Sequence, residues 1–449
     1  MHTSHQSDSH PMQHEHAPDR SLEQVLGDRR DRLTKALNFS NEILVVFSGE
    51  PHRKPGGVDQ EYRFITHPSY QWLTASAGPS HALVFDPREG WIDFRRQPTE
   101  DDFIWAGAVP DGRGRPIEEL FKWLQERAER PVKFVGGSFD SSLRDLFSPY
   151  APVQDPDVEQ IVLHQRRAKD SYALARIQAA VEITAKGFAE MARYIQPWVS
   201  ERDIRIQLEH VFFRSGADDV SFPTIVGAGT SSAALHYFPT SRQVERGDWV
   251  LVDAGAELGG YVADVTRMFP ASGEFNTEQR EIYEAVRRVQ EAAISRCQPR
   301  MEWSDLHLLT ALDLAAELKE MGVLKVGPEE AVNGGAIALF LPHGVGHMVG
   351  LGVRDASGWS PDREELVTVA GAKPRCNFKL EPGFTMTVEP GCYFIEPLLL
   401  RRQLEGRHLM EINYDKALDF ARRIGGVRIE DDIVVTEGAP KVLTAGIPK

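Results

Sequence analysis

Residues 249–269 limit the possible fold of this chain more than any other stretch. Two runs of apolar and β-branched residues flank the Gly-Gly pair at 259–260, which is a strong signal for a two-residue hairpin turn. Because side chains alternate along a strand, this turn predicts that Asp253, Asp264 and Thr266 share one face. The two carboxylates then lie on a diagonal, roughly 7–8 Å apart at Cα. Carboxylates facing one small space repel each other unless a cation or proton lies between them, so the hairpin predicts a metal site.

The opposite face of the predicted hairpin is apolar and is expected to pack inward. Its residues are Val250, Val252, Ala254, Ala256, Ala263 and Val265. On the polar face, Gly255 lies between the two carboxylates and has no side chain to fill the space.

The size and composition of the chain indicate a soluble globular protein. With 449 residues it is too long for one ordinary core, so two domains are expected. The formal net charge of -15 argues against nucleic acid and anionic membrane surfaces as partners. No run of 18 apolar residues and no signal-peptide h-region occur, which predicts neither a membrane span nor secretion. Three scattered cysteines exclude a disulfide framework and favour a cytoplasmic location.

Three segments follow from the pattern along the chain. Residues 1–20 are polar and rich in histidine, and are expected to be a disordered tail. Residues 21–155 alternate helix-like and strand-like runs, which predicts a small α/β domain ending in a proline-rich linker at 148–156. Residues 156–449 are expected to form a second, larger domain. Helices are predicted there at about 174–195, 200–213, 277–297, 304–321 and 415–423, with strands and glycine-rich loops elsewhere.

Three later stretches could add ligands to the hairpin carboxylates. Residues 341–350 place His343 and His347 among glycines, although a lone histidine is more often structural. Glu389 ends an alternating, half-buried strand before a Pro-Gly turn, and its plain alternative is an exposed strand end. Arg428 and Glu430 share a face of another strand, where a simple ion pair is the plain alternative.

Together with the two carboxylates of the hairpin, these stretches supply four carboxylates and an imidazole. That donor set suits two divalent cations roughly 3.5–4 Å apart, with a water between them made acidic by both. Oxygen ligands with one histidine favour Mn²⁺, with Co²⁺, Fe²⁺ or Zn²⁺ as alternatives, over copper or a thiolate-type site.

The order of these motifs resembles one known family. Asp-x10-Asp, His-x3-His, Thr-Val-Glu-Pro-Gly and Val-Arg-Ile-Glu-Asp match the pita-bread dinuclear metallopeptidases, which include aminopeptidase P, prolidase and methionine aminopeptidase. The likeness runs from about residue 163 to the end, and the segment before it resembles the N-terminal domain of prolidases. It therefore implies a small N-terminal α/β domain followed by a pita-bread domain. Glu430 lies 41 positions after Glu389, and the Tyr-Phe-Ile-Glu-Pro-Leu-Leu run in between looks like bacterial prolidase.

The resemblance also implies roles for individual residues. The metal ligands would be Asp253, Asp264, His347, Glu389 and Glu430. Glu389 would also move a proton from the attacking water to the leaving imino nitrogen. His236 and His343 would line the substrate pocket, and Arg428 would orient the carboxylate cluster. Arg375, in a Pro-Arg-Cys stretch similar to the Leu-Arg-Cys of prolidase, would hold the terminal carboxylate of a dipeptide.

One position departs from the family pattern. Relatives usually carry a histidine seven positions after the ligand histidine, in a Val-His-Asp run that contacts the substrate carbonyl. This chain has Arg354 there. An arginine could supply charge to the same atom or bind a carboxylate, but it cannot shuttle a proton near neutral pH.

The sequence thus predicts a metal-dependent Xaa-Pro dipeptidase that works through a water activated by two metal ions. The alternatives are an aminopeptidase P that acts on longer Xaa-Pro peptides, a non-catalytic pita-bread binding module, and an esterase side activity. The expected partners are a short proline-containing peptide and a second copy of the chain in a homodimer.

Overall fold

The N-terminal part of the chain is built on one mixed sheet. In this computed structural model the described residues are 21–57, 60–107, 112–137, 155–360, 362–363 and 368–449. The first elements are α1 (Leu22–Leu37), β1 (Ile43–Phe47), α2 (Pro68–Thr74), β2 (Ala82–Asp86), β3 (Gly90–Arg95), α3 (Glu100–Trp105), β4 (Arg115–Pro116), α4 (Glu118–Gln125) and β5 (Val132–Gly136). The strand order is β4-β3-β2-β1-β5, with β1 parallel to β5 and antiparallel to β2.

The alternation of helices and strands expected at 21–155 is confirmed, with α1 and α4 among the helices and β1, β2, β3 and β5 among the strands. The sequence reading missed α2 and α3, because six or seven residues are too few to show a helical period. The predicted tail at 1–20 and most of the predicted linker at 148–156 lie outside the described residues.

The rest of the chain alternates helices with short strands. Its elements are α5 (Pro156–Arg167), α6 (Ser171–Tyr194), α7 (Glu201–Arg214), β6 (Asp219–Val220), β7 (Ile225–Ala228), β8 (Trp249–Ala254), β9 (Ala256–Leu258), β10 (Tyr261–Val262), β11 (Val265–Pro270), α8 (Thr277–Arg296), α9 (Trp303–Glu320), α10 (Pro328–Asn333), β12 (Gly358–Trp359), β13 (Cys376–Asn377), β14 (Thr385–Val388), β15 (Gly391–Tyr393), α11 (Glu396–Leu404), α12 (Tyr414–Arg423), β16 (Gly426–Arg428), β17 (Asp431–Val434) and β18 (Lys441–Val442). Short 3₁₀ turns occupy Gly229–Ala233 and Ala336–Leu339.

All five helices predicted in this part form within a few residues of their expected bounds. The N-terminus predicted for α7 is also confirmed, because Ser200 caps the helix and makes a capping box with Asp203. The expectation of strands and glycine-rich segments after residue 321 was wrong at α10 and α11, and α5 was not predicted. Each of these begins with proline in its first turn, where the missing N–H costs nothing, so the proline marks a start rather than a break.

The hairpin forms with the predicted register. Asp253 pairs with Thr266 across β8 and β11, and residues 258 and 261 face each other beside the two-glycine turn. Between the two halves the ladder is interrupted at Gly255, where a Cβ would lie 1.7 Å from the carbonyl oxygen of Ala263. Glycine is required here because the partner backbone approaches so closely.

The apolar face of the hairpin packs inward as predicted. Val250, Val252, Ala254, Ala256 and Val265 join one buried cluster with residues of α6 and α7. Ala263 is buried in a second cluster that also contains N-terminal residues such as Leu44 and Tyr70. The hairpin therefore lies between the core of the C-terminal part and the N-terminal sheet.

The other strands of the C-terminal part surround the hairpin. The orders are β11-β8-β7, β10-β9-β6, β14-β17-β18 and β15-β16. An isolated bridge joins Thr266 to Glu430, so β11 connects the hairpin to the strands that follow α12. Thr385, Thr387 and their neighbours in β14 are buried on both faces, so the half-buried strand expected before Glu389 was wrong: helix α8 and the 345–349 segment cover it.

Candidate metal centre

The acidic residues of the hairpin meet those of two later strands. Asp253 lies on β8, and Asp264 lies in the short break between β10 and β11. Glu430 lies between β16 and β17, and its backbone N–H donates to the carbonyl of Thr266 at 3.2 Å. The hydroxyl of Thr266 donates to Glu430 Oε2 at 2.6 Å. Backbone pairing and a side-chain hydrogen bond together hold this carboxylate next to the hairpin.

The histidine segment runs beside β14 and brings in the remaining two candidates. The N–H of Glu389 donates to the carbonyl of Val345, and the N–H of Thr387 donates to the carbonyl of His347, both at 2.8 Å. A Cβ on Gly346 would lie 2.1 Å from the carbonyl oxygen of Thr387. A glycine is therefore needed for the segment to lie this close to the strand.

The side chains converge on one space. His347 Nε2 lies 3.5 Å from Asp264 Oδ2 and 3.6 Å from Glu389 Oε1. Asp264, His347 and Glu430 each offer a ligand atom, and these atoms lie within 4.8 Å of one another. His347 Nδ1 lies 2.9 Å from the carbonyl oxygen of Met348 and must donate to it, which leaves Nε2 unprotonated and facing the carboxylates. This is the tautomer that a metal ligand needs.

Asp253 completes the cluster with one oxygen held and one oxygen free. Its Oδ2 accepts from Arg428 Nη2 at 2.5 Å, whereas its buried Oδ1 has no hydrogen-bond partner among the described residues. A buried carboxylate oxygen without a donor is costly unless a cation reaches it. The donor set of four carboxylates and one neutral imidazole therefore fits divalent cations.

Burial and mutual repulsion raise the pKa of the clustered carboxyls. Desolvation is the largest cause at Asp264 and Glu430, whose pKa values lie well above the ordinary range, and neighbouring carboxylates add to it. Desolvation also raises the pKa of Glu389 to about 7, against the opposing charges of Arg428 and Arg354. Without cations the raised pKa values favour the protonated form of these side chains. The ionised cluster is therefore stabilised by bound positive charge.

Both histidines are held neutral. Desolvation, followed by the positive charge of Arg354, lowers the pKa of His347 to about 3. Desolvation and then Arg428 lower the pKa of His343 to about 3. His343 Nδ1 lies 2.8 Å from the carbonyl oxygen of Gly344, and Nε2 lies 2.9 Å from the hydroxyl of Tyr393. The imidazole of His343 is thus fixed beside the cluster.

A cavity of about 660 Å³ opens onto the cluster. All ten residues singled out from the sequence line it: His236, Asp253, Asp264, His343, His347, Arg354, Arg375, Glu389, Arg428 and Glu430. One wall is largely apolar and contains Phe222, Pro223, Ile225 and Leu235. An apolar pocket beside a polar cluster suits a small substrate with a ring and a few polar groups.

The structure contradicts two simpler interpretations of the sequence: a local ion pair between Arg428 and Glu430, and an exposed strand end at Glu389. Arg428 forms its ion pair with Asp253 rather than with Glu430, so the strand does not simply carry a local pair. The side chain of Glu389 is only 16% exposed and faces the cavity.

Sequence reasoning missed the residues that orient the cluster. The hydroxyl of Tyr393 accepts from Arg428 Nη1 at 2.8 Å and reaches His343 Nε2, so it links the arginine to the histidine. Asp432 Oδ2 accepts the backbone N–H of Asp264 at 3.0 Å. Its position two residues after Glu430, on the same side of an alternating strand, was a signal that could have identified it.

The comparisons with known proteins agree with this geometry. Residues 175–437 match the model of metallopeptidase family M24. The chain is 31% identical to Xaa-Pro aminopeptidase 2 of Streptomyces coelicolor over 93% of this chain and 87% of that protein. It is 30% identical to an Xaa-Pro dipeptidase of Xanthomonas campestris over 94% and 95% of the two chains. The structure of Pseudomonas aeruginosa aminopeptidase PepP superposes with a TM-score of 0.79 at 27% identity, covering 96% of each chain.

The fold and the site therefore define a metallopeptidase, and the chain belongs to metallopeptidase family M24. The expected pita-bread fold with an N-terminal α/β domain is confirmed by the match to aminopeptidase P structures. The expected class, a metal-dependent hydrolase, is confirmed as well. Within the described residues, no helix is long and apolar enough to cross a membrane.

Proposed function

We propose that this chain is an Xaa-Pro dipeptidase that uses two divalent metal ions, with Mn²⁺ as the first choice. The observation that carries the proposal is the meeting of five candidate ligands in one cavity that also holds Arg375, a residue suited to a terminal carboxylate. Residues 156–449 would form the catalytic domain and residues 21–155 the N-terminal domain. The working form would be a cytoplasmic homodimer.

The five ligands would be Asp253, Asp264, His347, Glu389 and Glu430. Bound divalent cations supply Lewis acidity, which lowers the pKa of a water molecule and polarises a carbonyl oxygen. Carboxylates and one imidazole favour Mn²⁺, while Co²⁺, Fe²⁺ and Zn²⁺ remain compatible with the same donors.

The protein side chains would divide the remaining work. Glu389 would take a proton on its carboxylate oxygen and release it to the imino nitrogen of the leaving proline. His343 is neutral, and it would touch the substrate from the cavity wall together with His236. Arg428 would hold Asp253 in place through their buried ion pair.

The substrate would be recognised without an amide N–H, because the nitrogen of an Xaa-Pro bond carries none. The apolar wall beside the metal cluster would hold the proline ring. Arg375 would bind the carboxylate of the proline. Because this carboxylate is free only when no residue follows the proline, the contact would limit the substrate to two residues. Arg354 would contact the substrate from the neighbouring loop.

A second candidate is an aminopeptidase P that releases the first residue of longer Xaa-Pro peptides. The likeness to solved aminopeptidase P structures over 96% of the chain favours it. The test is a substrate-length profile: Mn²⁺-loaded protein is given Leu-Pro, Leu-Pro-Ala and Leu-Pro-Ala-Ala-Ala. Preferential release of proline from Leu-Pro supports the dipeptidase. Cleavage of the longer peptides alone identifies an aminopeptidase P, and no cleavage of any peptide contradicts both.

A further inference from the structure

Two arginines of the cavity have no partner among the described residues. Arg354 and Arg375 are exposed, line the cavity, and make no side-chain hydrogen bond or ion pair within the described parts of the chain. The third arginine of the cavity, Arg428, is buried and paired with Asp253. Two guanidinium groups are therefore available to a ligand.

The two free arginines lie on neighbouring segments, because the N–H of Gly358 donates to the carbonyl oxygen of Arg375 at 2.9 Å and Gly358–Trp359 pairs with Cys376–Asn377. Arg375 lies beside the first histidine, because a Cβ on Gly344 would lie 3.3 Å from Pro374 Cα and 3.7 Å from the backbone nitrogen of Arg375. Arg354 lies in a turn closed by a hydrogen bond from the N–H of Ser357 to its carbonyl oxygen at 3.1 Å. Each arginine is thus carried by its own backbone segment, and both guanidinium charges act on His347.

The turn that carries Arg354 is fixed by a buried ionic cluster. Asp355 accepts from Arg166 Nη2 at 2.5 Å and from Lys169 Nζ at 2.7 Å, and all three side chains are at most 4% exposed. Arg166 also donates to the hydroxyl of Ser69 in α2 at 3.2 Å. Because the backbone beside Arg354 is held from two sides, its guanidinium projects from a rigid base into the cavity.

The charge of the loaded cavity is then positive. Two divalent cations would balance the four candidate carboxylate ligands, and the lining arginines add to them. A cavity of this charge in a chain with a net charge of -15 favours anionic ligands. A dipeptide with a neutral first residue offers one carboxylate, at its C-terminus, and one arginine suffices for it.

We propose that Arg354 binds a second carboxylate, and that the preferred substrates are Xaa-Pro dipeptides whose first residue is aspartate or glutamate. The inference rests on the proposed dipeptidase function. In such a dipeptide the side chain of the first residue is the one place for another carboxylate. A guanidinium pairs with it through charge-assisted hydrogen bonds that a neutral isostere cannot match.

The test compares substrates of matched shape and different charge. The Mn²⁺-loaded wild-type protein is assayed with Asp-Pro against Asn-Pro and with Glu-Pro against Met-Pro. We expect kcat/KM to be at least about tenfold higher for the acidic member of each pair. In Arg354→Gln and Arg354→His this ratio falls towards one. The control Arg246→Gln removes the same charge from an exposed position outside the cavity and keeps the wild-type ratio.

A second comparison separates the two arginines. The terminal carboxylate is tested by comparing kcat/KM for Leu-Pro with that for Leu-Pro amide. We expect this ratio to depend on Arg375 and not on Arg354. Arg375→Gln therefore lowers the discrimination between acid and amide, and keeps the discrimination between Asp-Pro and Asn-Pro. The reversed pattern, or a wild-type ratio near one for both acidic pairs, overturns the inference alone. Failure to cleave any dipeptide overturns the dipeptidase function together with it.

Discussion

Arg428 holds one oxygen of Asp253 and leaves the other free towards the candidate metal cluster. The same guanidinium donates to Thr266 Oγ1 at 3.0 Å and to the hydroxyl of Tyr393 at 2.8 Å. One buried cation thus positions a carboxylate, a threonine and a tyrosine around the space where cations would bind. The arrangement explains why an arginine lies inside a site proposed to bind positive ions: it fixes the orientation of the donors.

The first prediction concerns this ion pair. Arg428→Met should lower the free energy of unfolding by about 3–5 kcal/mol, because it leaves the buried carboxylate of Asp253 unpaired. Urea unfolding of the metal-free protein measures the change. Arg423→Met is the control: it breaks two exposed pairs, with Glu278 and Asp419, and should cost at most about 1 kcal/mol. Equal losses in the two variants would contradict the structural role of the buried pair.

The second prediction concerns the cluster itself. Glu430→Gln keeps the acceptor for the hydroxyl of Thr266 but removes one of the repelling charges. We expect the variant to retain less metal after dialysis, measured by elemental analysis, and its metal-free form to be more stable than metal-free wild type at pH 7.5. Glu320→Gln, at the exposed end of α9, is the control for charge alone. Full metal content in Glu430→Gln would remove this residue from the ligand set.

The third prediction concerns pH. The pKa values of Asp264, Glu389 and Glu430 are raised in the folded protein, so the folded state binds more protons than the unfolded state and stability falls as pH rises. The pKa values of His343 and His347 are lowered to about 3, which gives the opposite slope only below the ordinary histidine value near 6.5. Above pH 6.5 these two histidines therefore no longer oppose the effect of the carboxyls.

Metal-free protein should accordingly lose stability between pH 6.5 and 8, and Mn²⁺ should restore more stability at pH 8 than at pH 5.5, because the ligands must be deprotonated. Melting temperatures with chelator and with Mn²⁺ test both statements. If the stability of the metal-free protein rises steadily over pH 6.5–8, the pKa values of these carboxyls are not raised in the folded state.

The fourth prediction concerns the contact between the catalytic part and the N-terminal part. Asp355→Asn leaves Arg166 and Lys169 as buried cations without a carboxylate, and should lower the free energy of unfolding by about 3–5 kcal/mol. Asp219→Asn is the control, because its pair with Arg63 is exposed and should contribute at most about 1 kcal/mol. Denaturant unfolding measures both. If the two losses are alike, the buried cluster does not brace the turn at Arg354.

The local pattern of the sequence was sufficient to predict the hairpin and the long helices around the site. Two glycines between apolar runs determined the hairpin register, and hence the shared face of Asp253 and Thr266, because the side-chain period of a strand is two residues. The long helices were equally predictable from their apolar spacing and caps. The short helices α2, α3 and α10 were not, since they offer barely one turn of pattern.

The motif order determined the family and named ten residues, but it contained no distances. Tertiary structure alone decided that Arg428 pairs with Asp253 instead of Glu430, and that Tyr393 links this arginine to His343. It also decided that Arg354 stands free at the cavity wall. These relationships join residues 35 to 175 positions apart. Periodicity acts within one strand or helix, whereas such contacts depend on how separate elements pack, and no local pattern encodes that packing.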